Sequence, residues 1–414
     1  MTKEFYRENR QILCRDAEPE SLILLFSGHA PRKTGDEDYP FYANRNFLYL
    51  TGIEQADTVL MLQTGSSGIR EKLYLLPANP FLERWNGKRI KEDEASDRSG
   101  ILTFDNVENF EEDLYRLLYS GDIKQLYLDF DPNFQGDKGN EAFRLAAKLR
   151  SETPHIVMES LNPLLRRQRT IKKPCEIEAL RKAEAVTKAG IEAMMHASKP
   201  GMYEYQYKAE YDYALAQHGV TVPGFPSIIS AGKNNFCIHY NGYWGQAKDG
   251  DMILNDVGAV WDHEITDVSR AWPCNGKFTE RQRLLYECAY RTSEHMFGLL
   301  KPGIPIADVD PMIREYNYGQ LKEAGVLKTR EEISTYLWHG GAHHIGLDVH
   351  DTVSVKGRKT EPGMVFCVDV GIYHEEWGIG FRIEDNCLIT EDGCENLSRD
   401  IPKKIADIEA LMGR

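Results

Sequence analysis

Four acids and a run of histidines carry the spacing that could do chemistry in this 414-residue chain. Asp256 sits in a strand-like stretch, Met252 to Trp261, and Asp267 in a second, Glu264 to Trp272. A turn at Trp261-Asp262-His263 would fold the two into a hairpin with the aspartates directly opposed, Cβ atoms about 4.5–5.5 Å apart. The pattern recurs downstream. Asp369, in Met364 to Tyr373, would face Glu384, in Gly380 to Thr390, across a turn within Glu375-Glu376-Trp377. Like charges opposed on one sheet face are destabilising unless a cation lies between them. Two such pairs and a histidine can hold two divalent cations about 3.5–4 Å apart, with carboxylates bridging them. The histidine candidates are His339, His343, His344 and His350, four of the chain's 12, beside Gly340 and Gly341, whose backbone permits close approach.

These residues need a scaffold, and the chain shows a repeated one. A helix over about 174–198 ends in Lys199-Pro200-Gly201, and another over about 279–300 ends in Lys301-Pro302-Gly303. Each is followed by a helical stretch closing on Gly-Val, Gly219-Val220 and Gly325-Val326. The matched context predicts an internal duplication, each half supplying one acid pair to a shared interface. Upstream, short apolar runs alternate with helical patterns. Ser21–Phe26, Asn46–Thr51, Thr58–Gln63, Lys72–Leu76 and Gln125–Asp129 read as strands, and Phe110–Tyr119 and Asn140–Arg150 as helices, an α/β pattern. A boundary falls near 160–175. Its basic run (Arg166, Arg167, Arg169, Lys172, Lys173, with Arg181 beyond) reads as a solvated linker.

Composition narrows the class. Hydrophobic residues at 42% and charged residues at 28% exclude global disorder. A net charge of −14 argues against nucleic acid or an anionic membrane as partner. Eight scattered cysteines without a C-x-x-C pair fit reduced, buried thiols rather than disulfides or a thiolate metal site. Residues 1–16 are charged throughout, and the apolar run Leu22–Phe26 is far below the roughly 20 residues that span a bilayer. The expectation is a cytoplasmic protein.

Residues 174–400 resemble the pita-bread metallopeptidases, a family that includes aminopeptidase P, prolidase and methionine aminopeptidase, with bacterial aminopeptidase P the nearest likeness. The resemblance rests on Asp256 in Asn-Asp-Val-Gly-Ala, Asp267 in Thr-Asp-Val-Ser-Arg, His343 in His-His-Ile-Gly-Leu-Asp-Val-His350-Asp, and Glu384 in Arg382-Ile-Glu-Asp. Asn275-Gly276-Lys277-Phe278 also matches. The N-terminal part joins it through Asp38-Tyr39-Pro40-Phe41, Asn46-Phe47-Leu48-Tyr49-Leu50-Thr51-Gly52 and Trp85-Asn86-Gly87-Lys88-Arg89. One departure stands out: the family has Glu-Pro-Gly-Leu-Tyr at its fourth ligand, and this chain has Asp369-Val370-Gly371-Ile372-Tyr373.

The resemblance implies an N-terminal α/β domain over 1–165 and a duplicated pita-bread catalytic domain over 174–414. It implies two divalent metal ions, Mn²⁺ before Zn²⁺ or Co²⁺, held by Asp256, Asp267, His343, Asp369 and Glu384. A water bridging both ions would attack the scissile carbonyl, with Asp369 and Glu384 also serving the chemistry. His350 would contact the substrate near the scissile bond, and His239 would stabilise the tetrahedral intermediate. Tyr373 and Arg382 are candidates for substrate contact. His344, His263 and His374 match no family role and are expected to be structural. Asp38 and Trp85 could reach a neighbouring subunit's site in a homodimer or homotetramer. The implied reaction releases the N-terminal residue from peptides with proline second. The alternatives are an Xaa-Pro dipeptidase and a peptide-binding homologue whose turnover is impaired by Asp369.

Overall fold

Ser21–Phe26 is an unbroken apolar run and forms β1, with Leu22, Ile23, Leu24 and Leu25 fully buried inside a six-stranded sheet. The computed structural model describes residues 1–65, 68–130 and 140–413, which divide into the units Met1–Gln168 and Arg169–Arg414. In the first, the sheet adds β2 (Val59–Gly65), β3 (Gly68–Leu75), β4 (Phe104–Asn106), β5 (Gln125–Leu128) and β6 (Val157–Ser160) in the order β4-β3-β2-β1-β5-β6. The hairpin partners are antiparallel, and the pairs β3/β4, β1/β5 and β5/β6 are parallel. Helices Phe110–Leu118 and Glu141–Glu152 lay Leu114, Leu118, Ala142 and Leu149 on the core around Leu24, Met61 and Leu126.

One apolar run read as a strand is a helix: Arg45–Thr51. Capping overrides its strand-like composition. Asn44 Oδ1 accepts from Phe47 N at 2.8 Å, Thr51 Oγ1 donates to Phe47 O at 2.8 Å, and Gly52 closes the turn at φ 68°. The basic run is not a solvated linker either. Asn162–Thr170 is helical, and of its basic residues Arg166 and Arg167 are exposed. Arg169 and Lys172 are buried and grip Asp351, with Lys172 Nζ 2.6 Å from Asp351 Oδ2. Their partner lies some 180 residues downstream, out of reach of local pattern.

The second unit is built from two similar halves. Helices Pro174–Ala197 and Glu204–Gln217 precede β7 (Ile228–Ala231), β8 (Met252–Val257), β9 (Val260–Trp261), β10 (Glu264–Ile265) and β11 (Val268–Pro273). Helices Glu280–Leu299 and Ile306–Glu323 precede β12 (Val365–His374), β13 (Ile379–Ile389) and β14 (Cys394–Asn396). Both second helices end alike. Gly219 (φ 80°) and Gly325 (φ 72°) turn left-handed, and Val220 N and Val326 N donate back to Leu215 O and Leu321 O at 3.1 and 2.9 Å. That is one helix-ending motif used twice. The sheets run β11-β8-β7 and β12-β13-β14, with Trp272, Tyr286 and Phe381 in the core beneath.

The register of the first hairpin differs from the sequence expectation. Its turn is the two residues Asp262 and His263, with φ of 49° and 75°, the type I′ signature, so Trp261 pairs with Glu264. Asp256 therefore faces Ser269, not Asp267. A shift of two residues keeps the side-chain face, so Asp267 stays beside Asp256 as a diagonal neighbour. In the second hairpin Asp369 lies opposite Glu384, as the pattern predicted, with Glu375–Trp377 in the turn. The halves are pinned side by side along β11 and β13. Asn386 Oδ1 accepts from Asp267 N at 3.1 Å, Asn386 Nδ2 donates to Asp267 O at 2.5 Å, and Ser269 Oγ donates to Glu384 Oε2 at 2.9 Å.

The loop carrying the histidines lies along the free edge of β12. Asp369 N donates to Gly341 O at 2.7 Å and Cys367 N to His343 O at 2.8 Å. A Cβ at Gly341 would stand 2.4 Å from Asp369 O, so this approach needs glycine. Among the described residues, no helix is long and apolar enough to cross a membrane.

Three stability outcomes follow. Gly341→Ala should cost about 1–3 kcal/mol in denaturant unfolding, because the obstructing atom is backbone. Gly298→Ala, whose Cβ would meet nothing within 4 Å, should be neutral or slightly stabilising. Asp385 is fully buried between Arg270 (2.6 Å) and Lys403 (2.6 Å). Burial works to raise its carboxyl, but the two cations outweigh burial and hold it at about 2. A depressed carboxylate stabilises the fold above its unfolded value near ~3.9 and loses that contribution as pH falls toward 2. Asp385→Asn should thus cost about 3–5 kcal/mol at pH 7 and correspondingly less in acid, read from unfolding curves at both pH values.

Candidate metal centre

The acid-bearing strands converge where β11 meets β13. Asp267, His343, Cys367 and Glu384 bring one donor atom each to within 4.8 Å of all the others. His343 Nε2 is 3.5 Å from Asp267 Oδ2 and 3.4 Å from Glu384 Oε1. Asp256 joins as the diagonal neighbour of Asp267, close enough for each carboxyl to act on the other's charge. Asp369, opposite Glu384, sends Oδ2 to His339 Nδ1 at 3.1 Å. Asp256, Asp267, Asp369 and Glu384 are all at most 8% exposed.

Burying four acids together has a direct electrostatic consequence. Asp267 is pushed well above the usual carboxylate range, first by burial and then by Glu384 and Asp256. Glu384 is raised to about 7 by burial and by Asp369. Burial also works on Asp256, but the Arg382 guanidinium 2.5 Å away outweighs it and holds Asp256 low. Arg382 continues to Ser269 Oγ at 3.1 Å and Tyr373 OH at 3.2 Å. Tyr373 in turn meets His339 Nε2 at 3.0 Å.

The donor set fits a divalent cation. Among the described residues, Asp256 Oδ1, Asp267 Oδ1, Asp369 Oδ1 and Glu384 Oε1 are buried without a hydrogen-bond partner. Buried polar atoms are rarely left so, and a carboxylate left so is costlier still. One arginine and the two imidazoles of His339 and His343 carry at most three positive charges against four acids, and a dication of hard oxygen preference makes up the difference.

At the open edge of the cluster, the His350 ring lies 4.2 Å from that of His343. Burial, then the charges of His343 and His239, depress His350, which keeps it neutral at pH 7. His239 is exposed on the loop after the short helix Gly232–Phe236. His344 is buried beside Phe366, and His374 stacks on Trp377 at 4.1 Å. His263 forms the β9–β10 turn. Trp85 is 76% exposed, and Asp38 pairs with Arg32 at 3.3 Å.

Sequence reasoning passed over three participants: Cys367, Ser269 and Asn386. For Cys367 a signal was present, since it stands two residues before Asp369 and a strand repeats its face every second residue. For Ser269 and Asn386 there was none, because their roles depend on register and on contact between the halves.

Comparison with known proteins agrees with this geometry. The family model "Metallopeptidase family M24" matches residues 178–391, and "Aminopeptidase P, N-terminal domain" matches residues 6–127. The chain is 30% identical to the Xaa-Pro aminopeptidase of Escherichia coli and 33% identical to that of Haemophilus influenzae, each alignment covering 100% of this chain and 98% of the relative. The structure of E. coli aminopeptidase P with the inhibitor Pro-Leu superposes with a TM-score of 0.91 at 30% identity, covering 100% of this chain and 98% of that one. A Bacillus anthracis chain proposed to be an aminopeptidase P superposes at 0.97 with 34% identity, covering 100% and 99%. The chain therefore belongs to metallopeptidase family M24, with an aminopeptidase P N-terminal domain ahead of a pita-bread domain, and is a metallo-aminopeptidase.

Proposed function

We propose that this protein releases the N-terminal residue from peptides with proline in second position, using two divalent metal ions. The observation that carries the reading is the cluster of buried, unpartnered carboxylate oxygens around His343, at the seam of two duplicated hairpins. The activity named for the E. coli and H. influenzae relatives supports the substrate class.

Asp256, Asp267, His343, Asp369 and Glu384 would hold the ions, and an oxygen-rich set with one imidazole suits Mn²⁺, with Zn²⁺ or Co²⁺ also accepted. When bound, the ions supply an acidified water and polarise the scissile carbonyl. Glu384, buried beside His343 and opposite Asp369, would serve the chemistry as an ion ligand. Neutral His350 would donate to substrate oxygen from the cluster's edge, and His239, exposed on its loop, lies near enough for its charge to act on His350. Arg382 fixes Asp256 and, through Ser269, Glu384, which makes it a positioning residue rather than a substrate ligand. Tyr373 is fully buried behind Arg382 and His339, which gives it the same role.

The test is elemental analysis followed by assays with added Mn²⁺. The wild type should bind divalent metal and cleave an Xaa-Pro-Pro tripeptide. Cleavage of an Xaa-Pro dipeptide alone would make it a dipeptidase, and absence of both turnover and metal would sink the reading. Glu384→Gln should lower kcat/KM by about 10³-fold, the several kcal/mol expected of metal-assisted charge stabilisation. Asp369→Glu restores the methylene missing relative to the family pattern. It should raise metal content or kcat, and unchanged values would mean that the β12 backbone already compensates for the short side chain.

A further inference from the structure

Of the four donors that converge, three are ones the family pattern names and the fourth, Cys367, is not. Cys367 Sγ lies within 4.8 Å of donor atoms on Asp267, His343 and Glu384, which also lie within that distance of one another. Asp369 is absent from that set and directs Oδ2 to His339 instead. The two residues occupy the same face of β12, so the shorter acid and the thiol compete for one region of space. Backbone pairing fixes the thiol there: Cys367 N donates to His343 O at 2.8 Å, which locks the sulfur beside that imidazole. Cys367 is fully buried; its sulfur accepts from Asn386 Nδ2 at 3.5 Å, and its thiol reaches the Glu384 carboxylate. Independently, Asp267 Oδ1 and Glu384 Oε1, on two of the three residues that share the cluster, are buried and unpartnered.

We propose that Cys367 is a direct metal ligand, supplying by sulfur the coordination that Asp369, one methylene short, gives up. The inference rests on the two-metal reading and refines it at one position. There an imidazole, carboxylates and a thiolate form the mixed donor set typical of Zn²⁺ or Co²⁺, while the Asp256 side keeps oxygen donors only. Four donors mutually within 4.8 Å need only small side-chain rotations to reach a common centre at the usual 2.0–2.3 Å bond lengths. Coordination displaces the thiol proton to solvent, and no oxidant or reductant is involved.

The experiment uses the full-length protein, stripped with a chelator and reloaded with Co²⁺ or Zn²⁺, with metal per chain measured in every sample. Co²⁺-loaded wild type should show a near-ultraviolet sulfur-to-cobalt charge-transfer band. Cys367→Ser should lose it, and Cys288→Ser, which removes a buried thiol from the helix Glu280–Leu299, should keep it. Competition between Zn²⁺ and Mn²⁺ should move toward Mn²⁺ by at least about 10-fold in Cys367→Ser. X-ray absorption of the Zn²⁺-loaded wild type needs no variant and should show a sulfur scatterer at about 2.3 Å. Bound metal with nitrogen and oxygen scatterers only, or a band that survives in Cys367→Ser, overturns the thiolate ligand and leaves the two-metal reading standing. Wild type that binds no metal overturns both.

Discussion

Four buried acids share one face of two abutting sheets, and their mutual repulsion is the constraint to which the rest of the catalytic unit answers. Folding them together is unfavourable: Asp267 is driven upward by burial, Glu384 and Asp256, and Glu384 by burial, Asp369 and Asp256. The protein relieves this in part, where Arg382 holds Asp256 and His339 meets Asp369. A fold that intended a stable apolar seam would place no acids here, or would pair each with a base, as it does for Asp351 with Arg169 and Lys172. The unrelieved remainder is what gives the centre its affinity for a cation.

Duplication supplies the geometry. Each half contributes a hairpin, and β11 and β13 lie side by side through Ser269, Asn386 and Arg270 rather than through a long ladder. Ser269 shows how closely pairing and site are joined. It faces Asp256 because a two-residue turn sets the first hairpin's register, and its hydroxyl then links Arg382 to Glu384. Had the turn been one residue longer or shorter, Asp267 would point to the opposite face.

Much of this was legible in the sequence, and what was not has a physical reason. Strand period and hairpin symmetry gave the Asp369–Glu384 pair, because a ten-residue strand with a short turn leaves one register. They misplaced the first pair by two residues, because Asp-His in a left-handed turn carries no glycine to announce it. Asn46–Thr51 read as a strand because its apolar composition is ambiguous over so short a span, and the caps at Asn44 and Gly52 decide the matter. The basic segment before the catalytic unit looked solvated because charge runs usually are, while the acid that buries Arg169 and Lys172 lies far along the chain. Cys367 was set aside because cysteines were judged by their spacing to one another, not by the strand face they share with an acid.

Glu384 and Asp385 show what decides whether an acid becomes part of the centre. They are adjacent on β13, both at most 2% exposed, and so pay the same desolvation. Glu384 faces the other acids and His343 and is raised to about 7; Asp385 faces Arg270 and Lys403 and is held near 2. Burial alone cannot separate them. The alternation of the strand does, sending one carboxylate to a face where the charge is left for a metal and its neighbour to a face where the charge is already matched. The same alternation runs along β12, where Cys367 and Asp369 look into the cluster. Val368 between them and Val370 beyond are buried in the apolar core. A reactive centre and a stabilising ion pair can therefore stand one residue apart on a single strand, each insulated from the other by the sheet itself.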